Sequence, residues 1–168
     1  MVRQPNVDER RLPGESPPEL ALRLAIAKAV AVAPQFPDSL IIGSDQVALL
    51  DNEILDKPGD AENAKKQLLS ASGKIVLFHT TICVLDSASG KYGTRTVPVE
   101  VQFRRLDERT IDKYLQREQP YDCAASAKAE SLGIALIERI SGDDPNALIG
   151  LPLIALVDLL AERGLSVL

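Results

Sequence analysis

The chain has 168 residues, of which 45% are hydrophobic and 26% charged, a composition typical of a folded globular protein. The net charge of −5 argues against binding a nucleic-acid polymer, because such binding needs a basic surface. No segment has the length and apolar character of a membrane span or a signal peptide, so we expect a cytoplasmic protein without a membrane partner.

The first predicted elements are an extended segment and a helix. Residues 1–15 are polar and contain proline and glycine, which favours an extended entry to the fold. Ser16-Pro17-Pro18-Glu19 is typical of a helix start, because Ser can cap the first turn and Glu can bond back to the cap. Leucines and alanines then predict a helix to about Ala33, and Pro34 ends it.

A strand and a second helix are predicted next. Residues 40–43 form a short apolar run that predicts a buried strand, and residues 47–50 resume it after the polar pair Asp45-Gln46. Asp60 is typical of a helix cap, and the predicted helix runs from residue 61 to about residue 71 before Gly73.

A long hairpin is predicted in the middle of the chain. Residues 74–85 and 94–106 are rich in Val, Ile, Thr and Phe, and the turn-forming stretch DSASGKYG separates them. Apolar side chains alternate with other residues in the second strand, which predicts one buried face: Val97, Val99, Val101 and Phe103.

The last third predicts two more helices around a strand. Asp107 should cap a helix over residues 108–118, and a loop over 121–131 follows. Residues 133–140 predict a strand, and the final helix should start near Pro152. Helices and strands therefore interleave, which predicts an α/β or α+β fold with a mixed sheet.

Neither the cysteines nor the single histidine suggests a metal or catalytic centre. Cys83 lies in an apolar run and Cys123 follows a polar turn, so we expect reduced thiols rather than a disulfide. His79 stands in a strand-like stretch without other histidines or cysteines nearby, and we predict a structural role for it.

Asp45 interrupts an apolar run in IIGSDQVALL and supports two interpretations. It can be a turn-forming residue that bonds its own backbone. It can also be a carboxylate at the mouth of a sheet, where open α/β sheets bind ligands. Taken alone, the residue slightly favours the turn.

Other charged residues favour a ligand site. Lys28 lies inside the alanine-rich run AIAKAVA, where a cation needs a partner or a ligand. Glu9, Lys57, Lys128 and Glu130 add further charges. Lysines that converge with acids on one cleft would suit a nucleoside triphosphate, because lysines neutralise phosphate oxygens and acids hold Mg²⁺ or activate water. The chain contains neither a Walker A loop nor a GxGxxG motif.

Several blocks in this order resemble the Maf proteins. They are VDE at residues 7–9, the helical KA, GSDQV followed by ILDKP, CAASAKAE and NALIGLPL. The resemblance covers essentially the whole chain. It implies a nucleotide pyrophosphatase with a two-lobed α/β fold, related to the inosine-triphosphate pyrophosphatases, in which helices flank an elongated mixed sheet.

The resemblance also implies residue roles. Asp45 matches the catalytic proton acceptor. Glu9, Lys28 and Lys57 match residues that line the phosphate and metal region, and we place Lys128 with them. With Asp45, Glu9 is the predicted ligand of a divalent cofactor, Mg²⁺ or Mn²⁺.

Gln46 and Glu130 match positions associated with the choice of base. Members that hydrolyse dTTP and UTP have Thr after the catalytic Asp, whereas Gln46 resembles the branch that hydrolyses 7-methyl-GTP. The chemistry of Glu130 agrees, because one carboxylate can accept two adjacent N–H donors of guanine, and methylation at N7 adds positive charge. A dTTP/UTP pyrophosphatase and a non-catalytic, nucleotide-binding regulator of cell division are the alternatives.

The start of the chain departs from the family pattern. Family members begin with a strand and an SxSxxRR loop that contributes phosphate contacts, but Met1 stands only six residues before Val7 here. We therefore expect a single domain over residues 1–168 without that strand and loop. Its expected partners are a small-molecule nucleotide and, in a possible homodimer, a second copy of the chain.

Overall fold

The computed structural model describes residues 1–3 and 5–168. Its α-helices are α1 (Pro17–Val32), α2 (Ala61–Ala71), α3 (Glu108–Glu118) and α4 (Leu153–Ala161). Its strands are β1 (Leu40–Leu50), β2 (Glu53–Ile54), β3 (Ile75–Asp86), β4 (Tyr92–Phe103) and β5 (Ile137–Gly142). Short 3₁₀ helices occupy Ala33–Gln35, Ala124–Ser126, Leu132–Leu136 and Ala147–Ile149. Among the described residues, no helix combines the length and apolarity that a membrane crossing requires.

The five strands form one sheet in the order β2-β1-β3-β4-β5. β1 pairs antiparallel with β2 through Leu49 and Ile54, and β4 pairs antiparallel with β5 through Val101 and Ile140. This confirms the predicted α/β class, with a sheet flanked by helices. The sheet is antiparallel, however, rather than mixed.

The caps that the sequence predicts are present. Glu19 accepts hydrogen bonds from the backbone N–H of Ser16 at 2.8 Å and from its hydroxyl at 2.5 Å, which fixes the start of α1. Asp60 accepts from the N–H of Asn63 at 2.8 Å, and Asp107 caps α3 in the same way. Each of these helices therefore begins where its own local signal predicts.

Two strand predictions need correction. β1 runs without a break from Leu40 to Leu50, so Asp45 and Gln46 lie inside a strand and not at its end. The strand predicted over residues 133–140 begins only at Ile137, because Leu132–Leu136 forms a 3₁₀ helix. Gly133 lies at the start of this 3₁₀ helix and packs against the backbone of Lys128, where an added Cβ would lie 2.4 Å from the carbonyl oxygen.

The chain divides into two compact units, in keeping with the two predicted lobes. The first unit comprises Met1–Gln46, His79–Val97 and Asp144–Leu168, and the second comprises Val47–Phe78 and Pro98–Asp143.

Two apolar clusters hold the first unit together. One joins α1 to the sheet: Ala25, Ala29, Ile41, Cys83 and Leu85. The other joins α4 to the sheet: Ile82, Val84, Ala155, Leu159 and Leu160. Successive residues of a strand point to opposite faces, so the alternation along β3 puts α1 and α4 on opposite faces of this part of the sheet.

The second unit has its own core. α2 and α3 contact each other, and α3 buries Ile111, Tyr114 and Leu115. Val99, Val101 and Phe103 of β4 are at most 1% exposed, as predicted, whereas Val97 of the predicted buried face is only partly buried.

Both cysteines are free, as predicted. Burial raises the pKa of the Cys83 thiol to about 11, so this thiol is protonated at neutral pH and packs as a small apolar side chain. Burial also lowers the pKa of His79, which lies in β3.

Gly43 allows α1 to approach β1 closely. A Cβ at this position would lie 2.3 Å from the carbonyl oxygen of Ala25 and 2.8 Å from the nitrogen of Ala29. Gly43 and Asp45 are two residues apart and therefore face the same side of the strand, toward α1. The missing side chain thus brings the helix that carries Lys28 against the strand that carries Asp45.

We expect Gly43→Ala to force α1 away from β1, because the added carbon would meet backbone atoms that cannot rotate away. The free energy of unfolding should fall by about 1–3 kcal/mol, the usual cost of overpacking a core, as measured by urea denaturation. Gly93→Ala is the matched control, since the atoms nearest to its added carbon are the side-chain ends of Arg163 and Leu159, at 3.0 Å. Equal losses in the two variants would contradict the close-approach role of Gly43.

Candidate functional site

Three charged side chains of the first unit meet where α1 crosses β1. The Nζ of Lys28 lies 2.5 Å from Oδ1 of Asp45 and 2.9 Å from Oε1 of Glu9. Asp45 is the most enclosed, with 10% of its side chain exposed, whereas Lys28 is 19% and Glu9 45% exposed. The lysine in the alanine-rich helix therefore has two acidic partners, and one of them is the predicted catalytic carboxylate.

The two carboxylates keep this lysine charged. Burial lowers the pKa of Lys28, but the hydrogen bonds that Lys28 donates to Asp45 and Glu9 outweigh that effect, and the net pKa lies above its ordinary value of 10.5. A protonated ammonium at neutral pH can hold the Asp45 carboxylate in one orientation and also attract phosphate oxygens.

The segment that carries Glu9 is fastened to α1 by an arginine. Arg23 bonds to Glu15 at 2.6 Å and donates to the backbone carbonyl of Arg10 at 2.9 Å. The hydrogen bond from Arg23 is the main reason that the pKa of Glu15 falls to about 2, so this ion pair persists into acid. Arg23 therefore keeps Glu9, next to Arg10, close to the lysine of the same helix.

Gln46 follows Asp45 and anchors a loop of the first unit. Its Nε2 donates to Oγ1 of Thr80 at 2.9 Å and to the carbonyl oxygens of Ala147 and Leu148, both at 3.0 Å. Ser44 donates to the carbonyl oxygen of Gly150 at 2.7 Å. These side chains of β1 and β3 satisfy the backbone of residues 147–150, which belong to the NALIGLPL block.

A buried aspartate fixes the other end of that block. Asp144 is 3% exposed and accepts hydrogen bonds from the N–H groups of Asn146 at 3.0 Å and Ile154 at 2.6 Å. It therefore shapes the turn before the block and caps α4 after it. Sequence reasoning missed Asp144 and Thr80, although an acid two residues before an asparagine is a recognisable turn signal.

The remaining predicted site residues belong to the second unit. Lys57 is exposed after β2, Lys128 is partly buried with its Nζ 3.8 Å from Oδ1 of Asp122, and Glu130 is exposed. Two backbone hydrogen bonds join the segments that carry them: Gly59 to Tyr121 at 3.0 Å, and Ala125 to Leu55 at 3.3 Å. The seven predicted residues thus form two groups, Glu9, Lys28, Asp45 and Gln46 in the first unit and Lys57, Lys128 and Glu130 in the second.

The described residues do not form a metal site made wholly of protein ligands, but they fit a site that a substrate completes. They contain no group of three or more His, Cys, Asp or Glu side chains placed to hold an ion. Mg²⁺ commonly binds one or two carboxylates and takes its other ligands from substrate phosphates and water. The carboxylates of Glu9 and Asp45, which both accept from the Lys28 ammonium, suit a site in which phosphates and water supply the other ligands.

Comparison with known proteins identifies relatives along nearly the whole chain. The family model described as Maf-like protein matches residues 1–163. The protein named 7-methyl-GTP pyrophosphatase in Methylobacillus flagellatus is 53% identical over 167 residues, which cover 99% of this chain and 87% of the relative. Proteins of the same name in Thiobacillus denitrificans and Nitrosococcus oceani are 53% and 52% identical and are covered over 83% and 82% of their lengths.

We expect Lys28→Met to destabilise the protein, because it removes the ammonium that donates to the nearly buried Asp45 carboxylate at 2.5 Å. The loss should be about 1.5–3 kcal/mol at pH 7, measured by urea denaturation. Since the pKa of Lys28 is raised, its stabilisation is present below the ordinary value of 10.5 and disappears as the pH rises through the folded-state pKa. The difference in the free energy of unfolding between wild type and Lys28→Met should therefore shrink as the pH rises through the folded-state pKa of Lys28.

Two further measurements test whether the loss in Lys28→Met comes from its contact with Asp45. Lys66→Met removes an exposed lysine paired with Glu62 at 2.7 Å and should cost little. Combining Lys28→Met with Asp45→Asn should cost less than the sum of the two single changes, because each single change already removes the interaction between the two side chains. Additive losses would show that the two side chains do not stabilise each other.

Proposed function

The chain belongs to the Maf family, and from this premise we propose that it is a pyrophosphatase that hydrolyses 7-methyl-GTP to 7-methyl-GMP and pyrophosphate. The relatives named 7-methyl-GTP pyrophosphatase, about half identical over nearly the whole chain, support this substrate. The observation that carries the chemistry is the contact of Lys28 with Asp45 and Glu9. The proposal includes a cytoplasmic location, a free nucleotide as substrate and a possible homodimer.

In the proposed reaction, a water molecule attacks the α-phosphorus of the nucleotide. The new bond joins the water oxygen to this phosphorus, the bond from the phosphorus to the oxygen that bridges the α- and β-phosphates breaks, and pyrophosphate leaves. Asp45 accepts the proton that the water loses. Lys28 keeps the Asp45 carboxylate in place, since their contact is 2.5 Å.

The lysines stabilise the charge of the phosphates during this step. Lys28 in the first unit, and Lys57 and Lys128 in the second, are the cations proposed for phosphate oxygens, and preplaced charges of this kind are often the largest contribution to catalysis. Lys28 has the most defined position, because the two carboxylates fix its ammonium.

A divalent cation completes the proposed site. Glu9 and Asp45 would hold Mg²⁺ or Mn²⁺ together with phosphate oxygens of the nucleotide. When bound, such an ion draws negative charge from the phosphate oxygens and makes a coordinated water easier to deprotonate. Glu9 is suited to this role because nearly half of its side chain is exposed and can meet an incoming ligand.

Glu130 is the proposed contact for the base. Its exposed carboxylate lies two residues after Lys128, so a nucleotide whose phosphates contact the lysine can present its base to the acid. A carboxylate matches the adjacent N–H donors of guanine and the positive charge that N7-methylation adds. Uracil and thymine lack that donor pair.

We expect Asp45→Asn to abolish most of the activity, because an amide cannot accept the proton from water. With Mg²⁺ or Mn²⁺ and a panel of canonical and methylated nucleotides, kcat should fall by roughly 10²–10⁴-fold, measured by release of pyrophosphate. Asp158→Asn, which changes an exposed acid of α4, is the matched control and should keep wild-type kcat.

The same panel separates the alternatives. A preference of the wild type for dTTP or UTP would overturn the methylated-guanine assignment. Binding of nucleotides without release of pyrophosphate from any of them would favour the non-catalytic regulator.

Glu130→Gln should weaken the preference for 7-methyl-GTP. The variant keeps the shape of the side chain but turns one acceptor oxygen into a donor amide, which leaves an N–H of guanine unpaired. Discrimination against other nucleotides should fall by about 1–3 kcal/mol, or roughly ten- to a hundred-fold in the ratio of kcat/KM values. Glu138→Gln on β5 changes another exposed glutamate and should leave the ratio unchanged. An unaltered preference in Glu130→Gln would refute the proposed base contact.

A further inference from the structure

Gln67 of α2 connects the two segments of the second unit that carry the predicted phosphate-binding lysines. Its Nε2 donates to the backbone carbonyl of Asp56 at 2.8 Å, and its Oε1 accepts from the hydroxyl of Ser126 at 2.6 Å. Asp56 immediately precedes Lys57, and Ser126 lies two residues before Lys128. One side-chain amide therefore bonds to both lysine-bearing segments.

Tyr114 of α3 extends this network to the backbone of Lys128. The Tyr114 hydroxyl donates to the carbonyl oxygen of Ser126 at 3.2 Å and accepts from the N–H of Lys128 at 3.1 Å. Burial raises the pKa of Tyr114 to about 12, so the hydroxyl keeps its proton and can donate at neutral pH. The Tyr114 hydroxyl thereby ties the main chain of Lys128 to Ser126, which itself bonds to Gln67.

The segment before Lys128 has a strained backbone. Ala125 and Ser126 have φ values of 55° and 56°, in the left-handed region that residues with a Cβ rarely adopt, and both are fully buried. Such a conformation persists only where its surroundings hold it. Here the holding contacts are the hydrogen bonds of Ser126 to Gln67 and Tyr114, and the bond from Ala125 to the carbonyl oxygen of Leu55.

We propose that Gln67 is a positioning residue for the triphosphate, which sets the placement of Lys57 and Lys128 through the backbones of Asp56 and Ser126. This inference rests on the proposed function, because it assigns the two lysines to the phosphates of the nucleotide. Gln67 itself does not need to touch the substrate. A network that served stability alone would not need to end next to both lysines.

The test compares Gln67→Ala with wild type in the pyrophosphate-release assay. Losing both hydrogen bonds should let the lysine-bearing segments shift, and kcat/KM should fall on the order of 10- to 100-fold, mainly through KM. The loss should be similar for every nucleotide that the wild type hydrolyses, since all share the triphosphate. Gln116→Ala replaces an exposed glutamine of α3 and is the matched control.

Gln67→Glu is a second variant that keeps the size of the side chain. It retains an acceptor for Ser126 but has no amide to donate to the Asp56 carbonyl, so it should show a smaller rise in KM than Gln67→Ala. This variant also tests the inference if Gln67→Ala does not fold.

A double-variant cycle separates positioning from general stability. If Gln67 acts through the lysines, adding Gln67→Ala to a Lys57→Ala/Lys128→Ala background should leave KM nearly unchanged. If Gln67 were needed only for folding, Gln67→Ala would lower kcat/KM by the same factor in the wild-type and the double-lysine backgrounds. That result would overturn the inference.

The remaining outcomes are also decisive. A wild type without activity on any nucleotide refutes the proposed function and the role of Gln67 with it. An active wild type whose KM is no more affected by Gln67→Ala than by Gln116→Ala refutes this inference alone. A loss restricted to 7-methyl-GTP would show that Gln67 acts on the base, which also contradicts the positioning of phosphate lysines.

Discussion

The contact between Lys28 and Asp45 is the interaction on which the site of the first unit depends. Removing an ammonium and a carboxylate from water is costly, and the cost is offset only if the pair is close and well oriented. Their 2.5 Å contact requires α1 to lie almost against β1, and the absence of a side chain at Gly43 permits that approach. A packing constraint between backbones thus sets the geometry of the charges.

Local signals in the sequence predict the helices well and the strands less well. Ser16, Asp60 and Asp107 each mark a helix start within a few residues, so no distant contact is needed to predict it. The break predicted in β1 was wrong for the opposite reason. Asp45 and Gln46 are tolerated inside a strand because Lys28, Thr80 and the carbonyl groups of residues 147–148 meet them, and those partners are remote in the sequence.

In the candidate site, too, some residues can be predicted from the sequence and others depend on remote partners. The charged residues can be chosen from the sequence because an acid or lysine within an apolar run is unusual, and Lys28 and Asp45 do meet. Gln67 and Ser126 could not be chosen that way, because they are uncharged and neither lies in an unusual sequence context. Gln67 and Ser126 are 59 residues apart, and no spacing rule predicts their bond. Residues that hold a site in place are therefore harder to predict than those that carry its charge.

Gln46 illustrates how a specificity position can act at a distance. Its amide nitrogen carries two hydrogens and already has three acceptors within 3.0 Å, so this nitrogen has no hydrogen left to donate to a base. An influence of Gln46 on the choice of base, which stays a prediction, must then act through its carbonyl oxygen or through the loop that the amide holds. Threonine, which the family resemblance implies at this position in the dTTP and UTP branch, has a single hydroxyl on a shorter side chain and could not hold that loop by the same three contacts. The difference between the branches would then lie in the shape of residues 147–150 as much as in any direct contact.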